Sequence, residues 1–150
     1  MLVSDIMTRN PRTVSPNMRL QEVASIMCLY RIPALPVVDE NGILVGNISE
    51  MDLLKNLLPT MDDIVGGEGA MEIERMIPNY SSSMDTLVKD LMIKNPISVT
   101  SDMHVLKATA KMTSHRFRRI PVIDADGKLV GVMSLGDMHK AVFNSHVSSN

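Results

Sequence analysis

Sliding the chain along itself by 85 positions lays residues 3–54 over 88–139 without a gap, and 18 of the 52 paired positions are identical. Such a repeat constrains the fold more than composition can, because whatever one copy builds, the chain builds twice. The identities include Asp5/Asp90, Met7/Met92, Asn10-Pro11/Asn95-Pro96, Met27/Met112 and Arg31/Arg116. They continue through Pro36-Val37/Pro121-Val122, Asp39/Asp124, Gly42/Gly127, Gly46/Gly131, Ser49/Ser134 and Asp52/Asp137.

Each copy reads as the same order of elements. A short strand ends at Val14 or Val99, and Ser15-Pro16-Asn17 or Thr100-Ser101-Asp102 supplies turn and cap chemistry. Leu20, Val23, Ala24, Met27 and Tyr30 then recur at helical spacing, as do Val105, Ala108, Met112 and His115. Strands follow over 35–38 and 44–48, and over 120–123 and 129–133. Asn41-Gly42 and Asp126-Gly127 join them, dipeptides that accept φ > 0 at both turn positions. A second helix starts after Ser49 or Ser134. The expected class is α/β (α+β), each copy a small three-stranded mixed sheet with two helices. One copy is too small to bury both faces of its sheet, so two tandem copies are expected to pack about a pseudo-twofold axis. A cleft between related halves is a natural ligand site.

The expected boundaries are a first module at 1–58, a linker at 59–87, a second module at 88–143 and a fraying tail at 144–150. Within the linker, Pro59 ends a helix, Gly66, Gly67 and Gly69 break the chain, and Met71–Ile77 forms a short helix before Pro78. Tyr80-Ser81-Ser82-Ser83 reads as loop. A connector this long can also cover a cleft or join an interface.

Composition narrows the function. Apolar residues make up 45% of the 150 and charged residues 21%, which excludes a disordered or collagen-like chain. A net charge of −2 and 3% aromatics, with no Trp, argue against a nucleic-acid platform. The 14 Met residues are expected as flexible core filler. The one cysteine, Cys28, cannot form an internal disulfide or a four-thiolate zinc site; its helical setting suggests a buried thiol. Residues 1–5 lack the basic and apolar regions of a signal peptide, and no apolar run is long enough to cross a membrane, so a cytoplasmic protein is expected.

The motif Gly-x-x-Ser-x-x-Asp occurs twice, as Gly46/Ser49/Asp52 and Gly131/Ser134/Asp137, each where a strand gives way to a helix. An ionised carboxylate there accepts two hydrogen bonds from a vicinal diol, and a helix N-terminus favours an anion. The same spacing is also that of a capping box, Ser as N-cap and the acid three residues on. Both can hold, with Ser capping and Asp facing a ligand. Arg31 and Arg116 sit at helix ends, where a cation offsets the dipole. Arg118 and Arg119 have no basic counterpart in the first copy, and their guanidinium forks suit either phosphate oxygens or a solvated corner.

The chain resembles the cystathionine-β-synthase (CBS) domain family, and two copies resemble the paired unit called a Bateman module. The resemblance rests on Asp-Ile-Met-Thr, Asn-Pro, Pro36-Val37-Val38-Asp39 and the stretch Gly42 to Asp52. In the second copy it rests on Asp90-Leu-Met, Asn95-Pro96, Arg119 to Asp124 and Gly131 to Asp137. It implies a stand-alone regulatory pair that binds AMP, ADP, ATP or S-adenosylmethionine and reports the ligand to a separate protein, as a homodimer. It also implies a role for each motif Asp at the ribose hydroxyls. Ser49 and Asp52 would share one cleft with Ile97, Phe117, Arg118 and Arg119. Ser134 and Asp137 would share the other with Arg12, Ile32 and Pro33. The first is better equipped for a charged nucleotide. A dimeric interaction module with empty clefts is the alternative.

Other chemistry finds little support. Gly66-Gly67-Glu68-Gly69 lacks the Lys-Ser/Thr of a phosphate loop, and His104, His115, His139 and His146 lack zinc spacing. No local motif assembles a nucleophile with its base, so no catalysis and no metal are expected.

Overall fold

A computed structural model describes residues 1–55, 57–58 and 73–150. The elements run α1 (Val3–Ile6), β1 (Thr8–Arg9), α2 (Leu20–Tyr30), β2 (Ala34–Val38), β3 (Leu44–Ser49), α3 (Glu50–Leu54) and α4 (Ile73–Ser83). They continue with α5 (Val88–Leu91), β4 (Ile93–Lys94), β5 (Val99–Thr100), α6 (Val105–Ser114), β6 (Arg119–Ile123), β7 (Leu129–Ser134) and α7 (Leu135–Ser148). The fold is a mixed α and β one with two sheets, ordered β1-β7-β6-β5 and β2-β3-β4.

The chain divides into two compact units, and the two copies of the repeat exchange their opening segments between them. A terminal unit holds Met1–Thr13, Val38–Val45 and Asn95–Asn150; a central unit holds Val14–Val37 and Gly46–Lys94. In the terminal unit β1, from the first copy, pairs antiparallel with β7 of the second, Thr8 opposite Val132 and Arg9 opposite Gly131. In the central unit β4, from the second copy, pairs antiparallel with β3 of the first, Gly46 opposite Lys94 and Asn47 opposite Ile93.

The exchange repeats bond for bond. Val3 N–H donates to the Met103 carbonyl, and Ser4 N–H to that of Ser101, each at 2.9 Å; Val88 and Lys89 do the same to Met18 and Pro16 at 2.9 Å. These contacts also solve a capping problem, because the first N–H groups of a helix have no partner within it. Leu20 N–H reaches the Thr86 carbonyl at 2.9 Å and Gln21 N–H that of Met84 at 3.0 Å, while Val105 N–H reaches Met1 at 3.0 Å. The caps expected at 15–17 and 100–102 are turns instead: the N-cap residues are Arg19, with no side-chain bond, and His104, whose Nδ1 accepts from Leu106 N–H at 3.1 Å.

The repeated helices bury the expected faces. Leu20, Val23, Ala24 and Met27 are buried in α2, as are Val105, Ala108 and Met112 in α6. Tyr30 and His115 are exposed, because both helices end there in a left-handed residue, Arg31 (φ 54°) and Arg116 (φ 58°). The residue after each reaches back to a helical carbonyl, Ile32 N–H to Met27 at 3.1 Å and Phe117 N–H to Met112 at 2.8 Å. The core of the terminal unit joins Val3 and Met7 to Val99, Ala108, Met112, Ile120, Val122 and Met133. In the central unit Val14, Leu35, Val37, Ile48, Leu53, Met84 and Val88 are buried.

Several expectations need correction. The hairpin turns take φ > 0 at Gly42 (81°) and Gly127 (82°) alone, not at both turn positions. Asp39 is the cause: its Oδ1 accepts from Asn41 N–H at 2.9 Å and Ile43 N–H at 3.0 Å, holding an Asx turn that closes onto the glycine. Asp124 does the same for Asp126 and Lys128. Cys28 is exposed, since it lies one residue, or 100° of helix, beyond the buried Met27. Residues 80–83 are helical rather than looped, within α4, which continues through Pro78. Proline removes one N–H from the ladder. The Ser82 and Ser83 hydroxyls bond the carbonyls of Asn79 and Tyr80, and Met84 and Thr86 hold the helix end against α2. The tail expected to fray is helical to Ser148, with Ser149 Oγ bonding the Ser145 carbonyl at 2.8 Å. Pro59, Gly66, Gly67, Gly69 and Met71 lie outside the described residues.

Candidate functional site

Both Gly-x-x-Ser-x-x-Asp motifs form complete capping boxes. At the start of α3, Ser49 N–H donates to Asp52 Oδ2 at 2.9 Å and Asp52 N–H donates to Ser49 Oγ at 3.2 Å. The Ser49 hydroxyl adds a third bond to Oδ2 at 3.0 Å. At the start of α7, Ser134 N–H donates to Asp137 Oδ2 at 2.9 Å and Asp137 N–H to Ser134 Oγ at 3.0 Å. The structural role weighed for these residues is therefore real in both copies.

The boxes leave acceptor capacity over. A carboxylate has about four lone-pair sites, and each box takes only Oδ2. Asp52 is 5% exposed, and its Oδ1 lies 3.9 Å from Lys55 Nζ. Asp137 is half-buried. Each can hold its serine through one oxygen and offer the other to a hydroxyl pair.

The glycines of the motifs serve the fold. A Cβ on Gly131 would stand 2.7 Å from Met7 Sδ and 2.8 Å from the Thr8 carbonyl oxygen. A Cβ on Gly46 would collide with Met92 Sδ and lie 3.1 Å from the Ile93 carbonyl oxygen. Each glycine admits the strand donated by the other copy. Met7 and Met92 are repeat identities whose role sequence reasoning missed; their recurrence 85 residues apart, like that of the glycines, was the available signal.

The remaining candidates sort by unit. In the central unit, Ser49 and Asp52 stand with half-buried Ile32 and exposed Pro33, and Glu50 N–H donates to the Pro33 carbonyl at 2.9 Å. In the terminal unit, Leu135 N–H donates to the Arg118 carbonyl at 3.0 Å, and Arg119 pairs opposite Ser134. Each motif is thus tied to the strand start of its own copy. Ile97 packs against the terminal core, and Phe117 stacks on His115 with ring centroids 5.4 Å apart. Arg12, Arg118 and Arg119 are exposed. Among the described residues Arg118 and Arg119 have no ion pair or side-chain hydrogen bond, which leaves both guanidinium groups available to an anion. The two ligand sets expected from the resemblance draw residues from both units.

Among the described residues no cluster of His, Cys, Asp and Glu could hold a metal ion, and no helix is long and apolar enough to cross a membrane.

The family model of the CBS domain matches residues 3–59 and 88–144. A curated relative, the chloroplastic CBS domain-containing protein CBSX2 of Arabidopsis thaliana, is 31% identical over 93% of the chain, which spans 62% of that relative's length. A crystal structure of CBSX2 in complex with AMP superposes with a TM-score of 0.75 at 28% identity, covering 97% of this chain and 98% of that one. The CBS domain pair of protein MJ0100, solved with 5-methylthioadenosine and S-adenosyl-L-methionine, gives 0.68 at 25% identity, with 97% and 98% covered.

Proposed function

This chain belongs to the CBS domain family as a tandem pair, and from that premise we propose that it is a regulatory module that binds an adenosine ligand. The candidates are AMP, ADP, ATP and S-adenosylmethionine. One observation carries the reading: both motif aspartates are intact, and each keeps one carboxylate oxygen outside its capping box. That oxygen suits a ribose diol, and the unpaired Arg118 and Arg119 suit phosphate. The AMP complex of CBSX2 and the methylthioadenosine and S-adenosylmethionine complex of MJ0100 support the ligand class.

In this reading the modules are 1–58 and 88–143. Ser49 and Asp52 act with Ile97, Phe117, Arg118 and Arg119; Ser134 and Asp137 act with Arg12, Ile32 and Pro33. The first set holds the more highly charged ligand. The protein is a cytoplasmic homodimer without catalytic activity, and it signals by linkage. Ligand binding shifts its conformational equilibrium and so its affinity for a separate protein. The capping boxes favour a second reading, since they account for Ser and Asp without any ligand: an interaction module with empty sites.

Thermal unfolding with AMP, ADP, ATP, GTP and S-adenosylmethionine decides between them. A ligand at about 100 times its dissociation constant adds roughly 2.7 kcal/mol, which raises the midpoint by several degrees. A shift with an adenosine ligand but not GTP, lost in Asp52→Ala, supports the sensor. No shift with any ligand, after removal of co-purified molecules, supports the interaction module.

A further inference from the structure

From the start of α6 to the end of β6 the chain carries Lys107, Lys111, Arg116, Arg118 and Arg119, with His115 among them, and no acid between Asp102 and Asp124. The chain as a whole is at −2, so this stretch stands against an acidic remainder. Lys107, Lys111 and His115 recur every four residues, which places the two lysines on successive turns of one face of α6 and His115 in line with them at its C-cap. Lys107, His115, Arg116, Arg118 and Arg119 are exposed. Lys111 Nζ spends one proton on the Ser98 carbonyl at 2.8 Å; Lys107 and Arg116 have no ion pair or side-chain hydrogen bond among the described residues.

The repeat supplies an internal control. The positions matching Lys107, Lys111, His115, Arg118 and Arg119 in the first copy are Glu22, Ile26, Tyr30, Pro33 and Ala34. The central unit builds the same helix and following strand with those residues. The fold therefore has no need of the charge, which inverts outright between Glu22 and Lys107.

We propose that the face of α6 bearing Lys107, Lys111 and His115, ending at Arg116, is the docking surface for a short acidic segment of a partner protein. Charge complementarity selects the partner class. A 10-residue helix is about 15 Å long, which matches a few successive carboxylates. The chain is net acidic at −2 with 3% aromatics, which disfavours nucleic acid, and the stacked His115–Phe117 pair is too small a platform for successive bases. This surface uses residues outside the nucleotide sets and stands whether or not those sets bind.

The test is fluorescence anisotropy of the full chain at low salt with a labelled decaglutamate peptide, and with labelled decathymidylate as comparator. The variant K107E/K111I/H115Y gives the second copy the residues that the first already folds with. The expected result is saturable peptide binding that weakens with salt, falls about tenfold in the variant and exceeds binding of the oligonucleotide. Circular dichroism and the unfolding midpoint confirm that the variant is folded. Absent peptide binding, equal binding by the variant, or tighter binding of decathymidylate would each overturn the proposal. Nucleotide-induced thermal shifts read on K107E/K111I, which keeps His115 stacked on Phe117, are expected to persist, so failure of the docking face and failure of the sensor reading are separately visible.

Discussion

The thioether of Met7 fills the space that a side chain on Gly131 would need, its Sδ 2.7 Å from the position of a Cβ there. The first residues of one copy are thereby locked onto the strand that leads to the other copy's Ser134 and Asp137. Met92 and Gly46 repeat the lock behind Ser49 and Asp52. Gly131→Ala should cost about 1–3 kcal/mol through overpacking. Met7→Ala should not rescue it, because the Thr8 backbone carbonyl is also 2.8 Å away. Gly46→Ala should be relieved in part by Met92→Ala, since the carbonyl there lies at 3.1 Å. Double-mutant cycles by thermal unfolding read the difference.

The exchange carries a second expectation. Val3 and Val88 are each 0% exposed, and each is buried in a unit built largely from the other copy. Val3→Ala should destabilise the terminal unit by roughly 2 kcal/mol, and Val88→Ala the central unit. Hydrogen exchange should rise over 95–134 in the first variant and over 14–37 in the second. Loss of protection around each substituted residue's own copy instead would contradict the exchange.

Much of this architecture is legible in the sequence. The offset of 85 residues locates the two copies that the CBS family model matches at 3–59 and 88–144, the apolar runs from Leu35 and Leu44 mark β2 and β3, and Ser49 and Ser134 mark helix starts. The exchange is not legible, because β1 and β4 have two residues each and their partners lie more than 40 residues away. A strand that short has no period to detect. Tyr80 and three serines read as loop over 80–83, yet tertiary hydrogen bonds from Leu20 and Gln21 hold the end of that helix in place. Asp39 overrode the expected turn because a carboxylate two residues before Asn41-Gly42 outcompeted a generic Asn-Gly preference. For the candidate site, sequence located each Ser and Asp; that their glycines exist for Met7 and Met92 required the pairing.

The capping boxes separate stability from ligand binding at Ser49 and Asp52. Ser49→Ala removes the acceptor for Asp52 N–H and should cost about 1 kcal/mol. Asp52→Asn keeps a carbonyl oxygen for Ser49 N–H but loses the charge that attracts Lys55 and a diol. In the sensor reading Asp52→Asn weakens adenosine-ligand binding at least about tenfold, while Ser49→Ala mainly lowers the unfolding midpoint. Equal ligand affinity for Asp52→Asn and the native chain would leave Asp52 a capping residue alone.

Tyr80, on α4, provides a pH signature of how that helix seats. Partial burial raises its pKa above the ordinary 10.0, and the charge of an ionised Cys28 adds to the rise. A phenol whose folded pKa exceeds its unfolded one binds its proton more tightly when folded. Its contribution to stability is complete below pH 10, and it fades as pH climbs from the unfolded value through the folded one. Tyr80→Phe should therefore flatten stability against pH in that alkaline window and leave it unchanged near neutrality. Cys28→Ser should remove the smaller, charge-based part of the rise and leave the part due to burial. Ultraviolet titration of the phenolate, with denaturant midpoints measured on both sides of pH 10, checks both. A Tyr80 that titrates at the ordinary value would show that the α4 end stands away from Cys28 and open to water.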